Sequence, residues 1–262
     1  MLGAAAFGDR PGSWPLPTAT APEQLWLRAV ACGGQGRYAA AYRDLAALRR
    51  GGPQRLVSLA HSAQGSFLRQ LGWHTRARGW DGRALALAGA DPEACVDALI
   101  GLAADALGVG RFAAAAALLA RADGVLAGPV PDRLPVRRGW VAAELAMASG
   151  DGRAAVRHAT EAVRLARAMG LTTGRASARH RVKSDVVLSA ALCSAGNVER
   201  AGDVAEAALV DAGRLGLVPL RWAAACLLID IGSVTFSARS LLEIRDICAG
   251  QIRHAGGTWR CA

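Results

Sequence analysis

The residues of this sequence that could do chemistry are mostly cationic, and they cluster in its middle. Three of them, Arg175, Arg179 and Lys183, recur at intervals of four, so a helix would hold them on one side. No acid shares that side, because Asp185 points elsewhere around the helix. The row predicts a surface for an acidic peptide, a loop of an acidic protein or a nucleic-acid backbone. The alternative interpretation is a solvated cationic face.

The net charge of the chain is concentrated in the same region. The 262 residues carry a formal charge of +10, and Lys183 is the only lysine. From Arg133 to Lys183 there are eleven basic residues and three acidic ones, so this segment holds +8 of that total. The centre of the chain is therefore basic, and the remainder is nearly neutral.

No comparable pattern indicates catalysis, a metal or a cofactor. The five histidines fall in five different segments: His61, His74, His158, His180 and His254. The chain lacks the spaced histidines of zinc sites, the nucleophile motifs of hydrolases and the glycine-rich motifs that bind nucleotides. Six widely spaced cysteines form no cluster, and the first five read as buried, reduced thiols. We expect a protein that is not an enzyme and has no cofactor.

The elements that must position these residues follow an internal repeat. In each copy a glycine is followed by an alanine five residues later and by a small or aliphatic residue twelve residues later. The copies are Gly36/Ala41/Leu48, Gly72/Ala77/Ala84, Gly110/Ala115/Ala122, Gly150/Ala155/Ala162, Gly196/Ala201/Ala208 and, in degenerate form, Gly232/Ser237/Ile244. The glycine permits a tight turn, and the alanine lets two helices approach closely. Each copy thus predicts one helix pair.

These residues resemble the tetratricopeptide repeat, which has a turn glycine followed by alanines on its second helix. The resemblance covers roughly residues 22–253, with repeats that are longer and less regular than that family's. Endings such as AVRLAR at 162–167 are similar to the helical-repeat arms of bacterial transcriptional regulators. The resemblance implies an all-α solenoid of about six antiparallel helix pairs. We take the architecture from it and not the regulatory activity.

Proline and glycine divide the array. Residues 1–21 predict an N-terminal arm that is flexible or draped over the array, residues 22–127 hold repeats 1–3, and residues 128–135 form a Pro/Gly linker. Repeats 4–6 occupy 136–253, and residues 254–262 form a C-terminal tail.

Two further features of the array are expected from the sequence. A loop is predicted at Gly170 to Gly174. The closing helix, at about Ala238 to His254, places Leu241, Ile244, Ile247 and Cys248 on one apolar face. This face is a candidate surface for a homodimer.

The first helix of each pair is expected to line a concave groove. Trp26, Trp140 and Trp222 occupy nearly equivalent places in three of these helices, where they serve either core packing or the docking of apolar side chains. Trp259 reads as structural or exposed. The residues expected to bind a partner, from the groove and the basic row together, are Arg69, Arg137, Trp140, Glu144, Arg175, Arg179 and Lys183.

Together these features predict a non-catalytic protein–protein interaction module, an adaptor or regulatory scaffold that binds an acidic segment of a partner protein. The alternatives are a nucleic-acid-binding or transcription-associated accessory protein and an effector-sensing arm. No segment reads as a membrane span, since the most apolar window is short and contains Asp230. The N-terminus lacks the features of a signal peptide, so we expect a cytoplasmic location.

Overall fold

The chain folds into helices joined by short turns. The computed structural model describes residues 1–173 and 176–260, with the side chains of 170–173 left aside. Over these ranges there are thirteen helices and no strand: α1 Leu2–Phe7, α2 Pro22–Gly34, α3 Tyr38–Gly51, α4 Gln54–Gln70, α5 His74–Ala88, α6 Pro92–Gly108, α7 Phe112–Leu126, α8 Arg133–Ala148, α9 Gly152–Thr173, α10 Ala178–Ser194, α11 Val198–Arg214, α12 Val218–Ile231 and α13 Ala238–His254. None of the helices described is both long and apolar enough to cross a membrane.

Helices α2 to α13 form six consecutive pairs, which confirms the predicted all-α solenoid. Each even-numbered helix packs against the odd-numbered helix that follows it, from α2 with α3 to α12 with α13. The even-numbered helices also contact one another in series, α2 with α4 and onward to α10 with α12. They therefore make one continuous inner layer, and the odd-numbered helices α3 to α13 lie outside it.

The glycine and alanine frame explains the first five pairs. The turn glycines have positive φ angles between 74° and 86°, a backbone conformation that residues other than glycine rarely adopt. The alanines five residues later are all completely buried at the helix crossings. The sixth copy differs, because Ser237 is exposed and caps the N-terminus of α13 by accepting a hydrogen bond from the Ser240 amide at 3.1 Å.

Two predicted boundaries change in the structure. Helix α8 begins at Arg133, inside the expected linker, and Leu134 is buried in a core shared by α6, α7 and α8. The core therefore continues beneath the Pro/Gly segment. The loop expected at Gly170 is wrong as far as Thr173, because α9 continues through these residues.

The segment expected to be a flexible arm lies against the array and contains a short helix. Helix α1 packs on α2 and α10, and the amide of Ala178 donates a hydrogen bond to the carbonyl oxygen of Gly8 at 3.0 Å. The side-chain amide of Gln35 donates to the carbonyl oxygen of Pro11 at 2.7 Å. The arm thus joins the first pair to the fifth.

The C-terminal tail brings the last pair back to the first two pairs. The amide of Ala39 donates to the carbonyl oxygen of Ala255 at 2.8 Å, and the amide of Arg260 donates to Leu71 at 2.9 Å. The indole of Trp73 donates to the carbonyl oxygen of Thr258 at 2.6 Å. The end of the array is therefore attached to its beginning.

The predicted apolar face of α13 is buried in one part and exposed in another. Leu241 and Cys248 are buried, whereas Ile247 is 58% exposed and Leu242, beside the face, is 40% exposed. The exposed part is small, and the homodimer stays a prediction.

Candidate anion-binding cavity

A cavity of about 380 Å³ lies inside the inner layer. Residues from all six inner helices line it, and Trp259 of the tail contributes one wall. Its volume falls within the range of sites that hold small ligands or single side-chain anchors.

Six of the seven residues predicted to bind a partner line this cavity. They are Arg69, Arg137, Trp140, Glu144, Arg179 and Lys183. Arg175 lies outside the described residues. The groove and the basic row were predicted as separate surfaces, and the structure places the described members of both around the same cavity. Arg179 and Lys183 therefore do not form a solvated outer face.

Arg69 is held within a buried cluster of acids. Its guanidinium contacts the carboxylates of Asp81 and Asp105, the latter at 3.0 Å, and both acids are fully buried. Burial raises the pKa of Asp81 well above its ordinary value, although the positive charge of Arg69 acts in the opposite direction. Burial alone would lower the pKa of Arg69, but the two neighbouring carboxylates raise it above its ordinary value. The charge of Arg69 is satisfied by these acids, so its role at the cavity is to hold the wall.

Arg137 shares its carboxylate with a second arginine. One guanidinium nitrogen of Arg137 lies 3.1 Å from Asp97, and Arg133 lies 3.3 Å from the same carboxylate and 2.8 Å from Glu93. Burial alone would raise the pKa of Asp97, but the charges of Arg137 and Arg133 lower it below its ordinary value. Burial lowers the pKa of Arg137. Arg137 therefore has only a shared carboxylate as its partner, whereas Arg133 also contacts Glu93.

Arg179 has no carboxylate partner among the described residues. Its aliphatic stem passes the backbone of Gly34 so closely that a Cβ there would lie 3.0 Å from Cδ of Arg179. Its guanidinium lies 5.8 Å from the ring centroid of Phe7. Burial, together with the charges of Arg137 and Arg133, lowers the pKa of Arg179 to about 10. An anion in the cavity would relieve this repulsion.

Lys183 and Trp140 are each held by a neighbour. The ammonium group of Lys183 lies 3.4 Å from Glu144, the only carboxylate among the described residues that line the cavity. The indole of Trp140 donates a hydrogen bond to the Ser184 hydroxyl at 2.8 Å and stacks on His180 at 5.4 Å. These contacts fix the orientation of the Trp140 ring.

An aromatic wall faces the cavity from α12 and the tail. The rings of Trp222 and Trp259 lie 4.4 Å apart between centroids, and both line the cavity. The predicted tryptophan row includes Trp222, but no sequence pattern indicated that Trp259 would join it. Trp26, the third member of the row, is instead covered by Phe7 at 5.3 Å.

Two histidines that the sequence did not single out also line the cavity. His180 is buried, and its Nδ1 lies 2.7 Å from the Ser177 hydroxyl. Burial, with Arg179 beside it, lowers the pKa of His180 well below its ordinary value, so its imidazole is neutral. His74 lies at the start of α5, and burial lowers its pKa. Neither histidine adds positive charge at neutral pH.

The chemistry that this arrangement supports is the binding of an anion. Among the described residues that line the cavity, four are cationic and one, Glu144, is acidic, and Trp222 and Trp259 add aromatic surface. Across the residues that the structure describes, no group of three or more His, Cys, Asp and Glu side chains is placed to hold a metal ion. A scan of the chain against known protein families finds no matching family, and a search of curated proteins finds no relative.

Proposed function

We propose that the protein is a non-catalytic interaction module that binds an acidic segment of a partner protein through its central cavity. The observation that carries this proposal is Arg179, a half-buried guanidinium that lines the cavity without a carboxylate partner among the described residues. A buried charge without a partner is costly, and a carboxylate from a partner would supply the missing contact.

The surrounding contacts favour an external anion over a rearrangement within the chain. Asp97 is already engaged by Arg137 and Arg133, and Glu144 is engaged by Lys183. No acid that lines the cavity is therefore left to pair with Arg179.

A nucleic-acid ligand fits this arrangement less well. A phosphate backbone is followed by a row of cations on an open groove, usually with aromatic rings between them. Here Arg179 and Lys183 line a cavity of about 380 Å³, a volume that suits a small ligand or a few side chains better than a run of nucleotides.

The test is an array of capped peptides of twelve residues, rich in Asp and Glu, probed with the wild type and two variants. Arg179→Met keeps the length of the stem but removes its charge. Arg157→Met removes an equal charge from the exposed side of α9, where Arg157 is away from the cavity. We expect acidic peptides to bind the wild type and Arg157→Met, with at least tenfold weaker binding by Arg179→Met.

Equal binding by the two variants would show that the acidic segment binds elsewhere. A titration with single-stranded DNA at two salt concentrations tests the alternative, because binding to a phosphate backbone weakens steeply as salt rises. Tight, salt-sensitive DNA binding without any peptide binding would replace the proposed function with the nucleic-acid alternative.

A further inference from the structure

The cavity presents two different chemistries to a ligand. Arg137 and Arg179 supply positive charge on one part of its wall. The paired rings of Trp222 and Trp259, with the side chain of Leu220, supply an apolar surface on another part. The cavity can therefore contact an apolar group of a ligand as well as a charged one.

Hydrogen-bond donors in the wall are also left without acceptors. The indole nitrogen of Trp259 is buried and has no hydrogen-bond partner within the described residues. Arg179 donates to no acceptor within the same part of the chain. The guanidinium of Arg179 is not among the fully buried groups, so a ligand in the cavity can reach it, whereas the indole nitrogen of Trp259 has no accessible surface.

The size of the cavity favours a compact ligand. All six inner helices contribute to its wall, and the tail contributes Trp259. A volume of about 380 Å³ lies near the lower end of the range for small-molecule sites, so it suits a small ligand or a few neighbouring side chains of a peptide. The ligand must therefore carry its anionic and apolar parts close together.

We infer that the cavity recognises an amphipathic anion, a carboxylate joined closely to an aromatic group, and that acidity alone is not sufficient. This inference rests on the proposed function for its anionic half and adds the requirement for a ring. Arg179 binds the carboxylate, and the rings of Trp222 and Trp259 contact the aromatic group. The same chemistry is offered by a small aromatic carboxylate and by adjacent Glu and Phe side chains of a peptide.

The first arm of the test uses three small molecules that separate charge from ring. They are 3-phenylpropionate, its uncharged amide and acetate. Binding is followed by tryptophan emission, since Trp140, Trp222 and Trp259 line the cavity. We expect 3-phenylpropionate to bind at least tenfold more tightly than either control compound. Equal binding by the amide or by acetate would overturn the inference.

Variants locate the binding. Arg179→Met and Trp222→Leu should each weaken binding of 3-phenylpropionate at least tenfold. Arg157→Met and Trp80→Leu serve as controls that remove the same kinds of group away from the cavity. Circular dichroism and thermal melting identify any variant that fails to fold, and Trp259→Leu provides a second aromatic variant. Unchanged binding by folded Arg179→Met and Trp222→Leu would place the ligand elsewhere and overturn the inference.

The second arm uses peptides capped at both ends, with the central pair Glu-Phe, Gln-Phe or Glu-Gly. If only Glu-Phe binds, both the inference and the proposed function are supported. If Glu-Gly binds as well as Glu-Phe, acidity suffices, so the proposed function stands and the inference fails. If 3-phenylpropionate binds and no peptide does, the inference stands and the proposed function fails. Binding by neither class would overturn both.

Discussion

The ring of Trp259, in the C-terminal tail, packs against the ring of Trp222 in α12, with 4.4 Å between their centroids and 32° between their planes. This contact links the tail to the inner layer and forms part of the cavity wall. The tail residues around Trp259 are bound to the first two helix pairs through Ala39, Leu71 and Trp73. One aromatic pair thus contributes both to the closure of the array and to its binding site.

Replacing Trp259 with alanine should destabilise the protein. The change removes the contact between the two rings and the area that it buries, so we expect the free energy of unfolding to fall by about 2 kcal/mol. Urea denaturation measures this value. Trp14→Ala is the matched control, because Trp14 is 51% exposed and its contact with Arg37 should contribute less than about 1 kcal/mol. A Trp259→Ala protein as stable as the control would show that the tail is not held by this ring.

Removing the unpaired charge of Arg179 should stabilise the protein in the absence of a ligand. Burial and neighbouring cations lower the pKa of Arg179 to about 10, so the folded state disfavours the charged form. We expect Arg179→Met to raise the free energy of unfolding at neutral pH by about 1 kcal/mol.

The pH dependence of this effect has a definite sign. Above pH 10 the folded wild type loses this proton while the unfolded chain keeps it, so the stability of the wild type rises with pH relative to the variant. The advantage of Arg179→Met should therefore shrink above pH 10 in chemical denaturation. A destabilised variant at neutral pH would contradict the view that this charge lacks a partner.

Asp97→Asn should have the opposite effect on stability. It removes the carboxylate that Arg133 and Arg137 share, which leaves Arg137 without a carboxylate partner among the described residues and Arg133 with Glu93, at a cost of about 3 kcal/mol. Asp123→Asn is the control, because its ion pair with Arg138 is largely exposed and should contribute less than about 1 kcal/mol.

The loss of stability caused by Asp97→Asn should depend on pH. The pKa of Asp97 is lowered in the folded state, so its stabilisation is complete above the ordinary carboxyl pKa and is lost as pH falls through the folded value. The difference between wild type and variant should be constant near neutrality and decrease at strongly acidic pH. Thermal melts over this range measure it, and a difference that grows toward low pH would contradict the assignment.

Glycine substitutions can test the packing that holds Arg69. A Cβ at Gly65 or at Gly101 would lie 2.5 Å from the carboxylate of Asp81, so Gly65→Ala should destabilise the protein by about 2 kcal/mol. Gly79→Ala in α5 is the matched control, since no atom lies within 4 Å of its added methyl group. That variant should gain up to about 1 kcal/mol from better helix propensity. Equal effects at the two sites would show that Asp81 does not fill the space between α4 and α6.

The sequence predicts the helix pairs well because the information for them is local. Each turn needs one glycine, and each crossing needs one alanine five residues later, as at Gly36 and Ala41. The return of the tail to Ala39 and Leu71 depends on the small rotation between successive pairs, summed over six of them. No local pattern encodes that sum, so the part of Trp259 in the cavity could not be predicted.

In the candidate site, too, the sequence predicts the local features and not the contacts between distant helices. The spacing of Arg179 and Lys183 predicts that they share one side of a helix, and both line the cavity. Spacing alone does not reveal whether that side faces solvent or the interior. It also cannot distinguish Arg137, which reaches Asp97 on α6, from Arg179, which reaches no carboxylate in the described chain. Such differences depend on contacts between helices that are far apart in the sequence.

The attachment of the tail to the first two pairs has a consequence for how the protein comes apart. In an open array of repeats each unit contacts only its neighbours, so the two ends can fray independently of the middle. Here the hydrogen bonds to Ala255, Thr258 and Arg260 give the outermost pairs partners at both ends of the chain. Backbone amides of the first and last pairs should therefore exchange with solvent hydrogen at similar rates, through one cooperative opening that no single terminus can begin alone.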